Sequence, residues 1–84
     1  MAGEAEICLT PTEFRMLSVL VDRAGAVVPH LELRDLVWGD RFHDRSEVKL
    51  YVSYLRRKFE GAGIDPVETI RGVGYRYHPR PLPT

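Results

Sequence analysis

Ser46–Phe59 reads SEVKLYVSYLRRKF, and the nearby segment Thr69–Tyr77 reads TIRGVGYRY. At about 100° per residue, Val48, Val52, Leu55 and Phe59 fall within about 60° of one another and form an apolar stripe. Ser46, Leu50, Ser53, Tyr54 and Arg57 lie opposite, flanked by Lys49 and Arg56 on one side and by Tyr51 and Lys58 on the other. Thr69–Tyr77 has β-branched and aromatic residues on both sides of Gly72, the signature of a hairpin, with Arg71 at its tip. A helix with one apolar and one basic face, beside a basic hairpin, suits a DNA groove.

Working outward, the chain before this helix supplies two more. Thr10, Pro11 and Glu13 form a capping box with proline at the first helical position. Phe14, Leu17, Leu20 and Val21 then recur at helical spacing as the expected core face, until Gly25. Val27–Val28 is a short extended piece, and a second helix is expected from about His30 to Trp38 with Leu33, Leu36 and Val37 inward. Gly39–Arg45 is a polar loop, and Ser46 is the candidate N-cap of the helix over 46–60. Pro66 keeps the next segment extended, and Val67–Arg71 and Gly74–His78 are the hairpin strands. Glu6–Leu9 is a short strand candidate, and the proline-rich Pro79–Thr84 reads as a loose tail.

That order specifies an α+β winged helix-turn-helix: three helices, a C-terminal β-hairpin wing and a short N-terminal strand. The 84 residues make a single domain, with 6–78 as its core and 1–5 and 79–84 as flexible ends.

Net charge is zero, which at first argues against a polyanionic partner. Its distribution argues the other way. Residues 1–40 carry three arginines against seven carboxylates, whereas residues 41–84 carry nine basic residues against five acidic ones. Local potential, not the sum, steers association. No apolar run approaches the roughly 18 residues of a membrane span. Cys8 is the single cysteine, which excludes an internal disulfide, suits a reducing cytoplasm and reads as a half-buried strand residue. His30, His43 and His78 are scattered, with no spacing for a metal site and no nucleophile–base pair, so neither an enzyme nor a cofactor is indicated.

On the helix, Leu50 and Tyr54 sit one turn apart on the side away from the core. In a major groove, Leu50 can touch a thymine methyl, Tyr54 can meet a base edge, and Ser53 is small enough for close approach. Arg57 completes this major-groove set. Lys49, Tyr51, Arg56 and Thr69 are the candidate phosphate contacts, which set register and salt dependence. Arg71 on a thin hairpin can enter a narrow A·T-rich minor groove. Gly72 and Gly74 give the turn its backbone freedom, and Tyr75 and Tyr77, alternating with Arg76, pack the wing onto the body.

These residues resemble the OmpR/PhoB-type winged-helix effector domain of bacterial two-component response regulators. Leu9-Thr10-Pro11-Thr12-Glu13-Phe14 is similar to that family's first-helix opening, and Val37-Trp38 to its second-helix ending. Leu55-Arg56-Arg57-Lys58 and Thr69-Ile70-Arg71-Gly72-Val73-Gly74-Tyr75-Arg76 are similar to its two most recognisable blocks. The resemblance implies double-stranded DNA as partner, with the third helix in the major groove, the wing at the minor groove, and tandem dimers on direct-repeat half-sites. It also implies that the loop residues Asp40, Arg41, Phe42, His43 and Asp44 touch RNA polymerase. A phosphorylatable receiver domain would precede this domain in the full-length protein. The pattern departs from the family at Glu47, Lys49, Ser53 and Tyr54, and Pro29 replaces the usual serine cap of the second helix. The competing reading is a winged helix for protein–protein interaction that uses Leu50, Tyr51 and Tyr54 as an apolar contact patch.

Overall fold

The structure is a computed structural model that describes residues 7–39 and 45–83. Three helices and three strands follow in the order α1 (Pro11–Asp22), β1 (Val27–Pro29), α2 (His30–Trp38), α3 (Arg45–Glu60), β2 (Ile64–Ile70) and β3 (Gly74–Pro81). The strands form one antiparallel sheet in the order β1-β3-β2. The helices pack on it around Met16, Leu20, Leu33, Val37, Val48, Val52 and Leu55, with Val28, Val67 and Tyr75 from the sheet.

The start of α1 is built as its sequence requires. The Glu13 N–H donates to Thr10 Oγ1 at 3.2 Å, and the Thr10 N–H donates to Glu13 Oε1 at 2.9 Å. Glu13 is nonetheless 4% exposed. Its charge is met by Lys58 of α3, whose Nζ donates to Glu13 Oε1 at 2.9 Å and to the Cys8 carbonyl at 2.7 Å. Burial pushes the Glu13 carboxyl up, but the hydrogen bonds from Lys58 and from the Thr10 backbone outweigh it and hold it below its ordinary 4.5. A depressed carboxylate stabilises the fold above the unfolded value and loses that contribution as pH falls through the folded value. The stability advantage of the native chain over Glu13→Gln should therefore be full above about pH 5 and shrink on further acidification. Thermal melts of both proteins across that range check this. A pH-independent gap would contradict it.

Several sequence expectations change in the structure. The inner stripe of α1 is Glu13, Met16 and Leu20, while Phe14 (63% exposed) and Val21 face outward and Leu17 is half-buried. Leu33 and Val37 of α2 are buried, but Leu36 is exposed. α3 begins at Arg45, so Ser46 lies in its first turn rather than capping it. Ile7–Leu9, the described part of the expected N-terminal strand, is not in a strand, and Cys8 is exposed. Glu6 and residues 1–5 lie outside the described residues. The tail is not loose up to Pro81: β3 runs on through Arg80, paired with Asp65, and Pro81, paired with Ile64. Because β1 covers β3 only at Gly74–Arg76, the later prolines meet a single neighbour strand and can point their missing N–H away from it.

The wing is attached on two sides. Val73 N–H closes its turn onto the Ile70 carbonyl at 2.9 Å, with Gly72 at φ 78°, a backbone angle that L side chains rarely adopt. Gly74 serves a different purpose from the turn freedom expected of it. A Cβ there would lie 2.0 Å from the Val28 carbonyl oxygen, so glycine lets β1 approach β3. Across the hairpin, Arg76 Nε donates to Glu68 Oε1 at 2.8 Å, and that bond lowers the Glu68 carboxyl. Pro29, at the cap of α2, offers no side-chain acceptor. The His30 N–H instead donates to the Val73 carbonyl at 3.1 Å, so the wing turn satisfies one of the unpaired donors of α2.

Candidate nucleic-acid interface

Val48, Val52 and Leu55 of the α3 stripe are buried as their period demands, Phe59 at its end is half-buried, and that burial fixes what the opposite face presents. Ser46, Lys49, Ser53 and Arg57 are exposed, Leu50 is 45% exposed, and Tyr54 is half-buried. The side chains of Lys49 and Arg57 make no hydrogen bond or ion pair among the described residues. Ser53 Oγ donates to the Lys49 carbonyl at 3.1 Å, which ties its proton to the helix and leaves its lone pairs outward.

Tyr51 and Tyr54 are not isolated apolar exposures. Trp38 meets Tyr51 edge-on at 5.3 Å, and Tyr51 meets Tyr54 edge-on at 5.2 Å. This row of rings runs from the end of α2 onto α3 and fixes both tyrosines with favourable aromatic geometry. It explains apolar area that a freely solvated helix face would not need.

At the wing, Arg71 and Val73 are exposed. The Arg71 side chain makes no hydrogen bond or ion pair among the described residues. Tyr75 is buried, with its ring 5.1 Å from His30 in an edge contact, and Tyr77 packs against the core, as expected for the residues that hold the wing down. Burial pushes the Tyr75 phenol up, against the pull of Arg56.

Two of the candidate phosphate contacts meet each other. Arg56 Nη2 donates to Thr69 Oγ1 at 2.8 Å and to the Val67 carbonyl at 2.9 Å, and its Nε donates to Asp65 Oδ1 at 3.3 Å. Thr69 thus accepts from Arg56 and keeps its own hydroxyl proton to donate. Asp65 and Arg80, which complete this network, carried no signal in the sequence because their partners are many residues away. The expected polymerase loop, Asp40, Arg41, Phe42, His43 and Asp44, lies outside the described residues. Among the described residues, no three His, Cys, Asp or Glu side chains gather as a metal site, and no helix is long and apolar enough to cross a membrane.

The family model described as "Transcriptional regulatory protein, C terminal" matches residues 4–77. The chain belongs to that family. The KDP operon transcriptional regulatory protein KdpE of Escherichia coli is 40% identical over 78 residues, covering 89% of this chain and 35% of KdpE. PrrA of Mycobacterium tuberculosis is 42% identical over 72 residues, covering 83% of this chain and 31% of PrrA. The chain therefore spans about a third of the length of these relatives. Among solved structures, the DNA-binding domain of Bacillus subtilis CssR superposes with a TM-score of 0.74 at 36% identity, covering 86% of this chain and 80% of that one. The DNA-binding domain of the response regulator AdeR, solved in complex with an intercistronic region, gives 0.77 at 33% identity, covering 84% and 72%. Family and fold together make the chain a transcriptional regulator's effector domain of the winged-helix type. They favour the DNA-binding reading over the protein-interaction one.

Proposed function

We propose that the chain binds double-stranded DNA with the outward face of α3 in the major groove and the wing turn at the adjoining minor groove. The observation that carries this is that Leu50, Ser53 and Arg57 lie exposed on one face, while Arg71 stands exposed and uncommitted at the wing. Leu50, Ser53, Tyr54 and Arg57 take the base-facing positions, Arg71 the minor groove, and Lys49, Tyr51 and Thr69 the phosphates. In the full-length protein, a receiver domain would precede this one and tandem copies would occupy direct-repeat half-sites. RNA polymerase would be met through residues 40–44.

Titration with a mixed-sequence duplex at increasing salt tests the core of this reading. Each phosphate charge neutralised by a cationic side chain releases a counterion, so Lys49, Arg57 and Arg71 together give a slope of about −3 in log affinity against log salt. A duplex that does not bind even at low salt would instead favour the protein-interaction surface of Leu50, Tyr51 and Tyr54.

A further inference from the structure

Asp65 gathers three donors where α3 meets β2. Arg56 Nε lies 3.3 Å from Oδ1, Arg80 Nη2 lies 3.2 Å from Oδ2, and the Val67 N–H donates to Oδ1 at 3.2 Å. This carboxylate sits at the pairing irregularity between Asp65 and Val67, where Pro66 is buried. From it, the Arg56 guanidinium continues along β2 to the Val67 carbonyl and to Thr69 Oγ1, two residues before Arg71. Arg80 Nη2 approaches from β3 and shares the Val67 carbonyl at 2.8 Å. One planar side chain of α3 thus spans three acceptors on the strand that leads to the wing turn.

We infer that Arg56 and Asp65 are positioning residues that fix where Arg71 stands relative to the outward face of α3. On this view Arg56 acts on DNA affinity through the wing, not by touching a phosphate. The inference rests on the DNA-binding geometry proposed above. Arginine suits the role because its rigid fork reaches several acceptors at once, which the single ammonium of lysine cannot. Asp65 makes the inference separable from simple electrostatics. Removing a carboxylate near a polyanion should tighten binding, whereas loosening the brace should weaken it.

The experiment is a fluorescence-anisotropy titration of the 84-residue chain against one labelled duplex, selected from a random-sequence pool by the unsubstituted protein. Asp65→Asn is expected to weaken binding about tenfold, and Arg71→Ala is expected to cost markedly less in that background, because contacts in one network are not additive. Arg56→Lys keeps the charge and should also weaken binding about tenfold, since lysine cannot span the three acceptors. Asp65→Asn binding as tightly as the native chain or tighter, with the full Arg71 effect retained, overturns the inference. So does Arg56→Lys at native affinity, and this arm decides if Asp65→Asn fails to fold. A silent Arg71→Ala removes the wing reading and the inference with it, whereas a normal Arg71 loss with tight Asp65→Asn removes the inference alone.

Discussion

Gly74→Ala should destabilise the domain by about 3 kcal/mol or more, most of the stability that a core of this size supplies. The added Cβ would lie 2.0 Å from the Val28 carbonyl oxygen, 2.7 Å from Pro29 Cα and 2.8 Å from the Val28 carbonyl carbon. All three are backbone atoms, so no side-chain rotation relieves the overlap. Relief requires β1 to move off β3, which would break the Val28–Tyr75 pairing at the centre of the sheet and uncover two buried side chains. It would also pull the Val73 carbonyl from the His30 N–H, and so disturb the start of α2. Denaturant unfolding gives the readout. A midpoint within experimental error of the native chain would show that β1 is not held as described. Gly72→Ala has no comparable clash, only the positive φ, and should cost about 1 kcal/mol.

The second large effect is on binding. Arg71→Ala should weaken DNA binding by about 1–3 kcal/mol while leaving the melting temperature unchanged, because the side chain is exposed and has no described partner to lose. The loss should fall on duplexes with an A·T-rich segment under the wing, where a narrow minor groove concentrates negative potential. A G·C-rich segment at that place should bind the native and substituted chains nearly alike. Equal losses on both duplexes would make Arg71 a plain phosphate contact. No loss on either would take the wing out of the interface.

Much of this arrangement was legible in the sequence, and the exceptions have physical causes. The capping box at Thr10, the bounds of α2, the buried stripe of α3 and the packing of Tyr75 and Tyr77 all follow from local rules. The inner face of α1 did not. Apolar spacing points to Phe14, Leu17, Leu20 and Val21, whereas the buried stripe contains Glu13, a carboxylate that no count of apolar residues places inside. Its burial is tolerable because Lys58, 45 residues away, joins the Thr10 N–H in meeting the carboxylate. Pro79 and Pro81 suggested a tail, but a strand paired on one side alone accommodates them. The outward face of α3 was readable because the period that buries Val48, Val52 and Leu55 dictates what stands opposite. The bonds from Arg56 to Asp65, Val67 and Thr69 join a helix to a strand through side chains, which no local pattern encodes.

Amide chemical shifts of the 84-residue chain, followed by NMR as the selected duplex is added, probe the docking surface residue by residue. The largest changes should cluster at Lys49, Leu50, Ser53, Tyr54 and Arg57 and again at Arg71–Val73, with little movement along the exposed side of α1 at Phe14 and Val21. Changes centred on α1, or a wing that stays unmoved while α3 responds, would contradict a duplex held between the helix face and the turn.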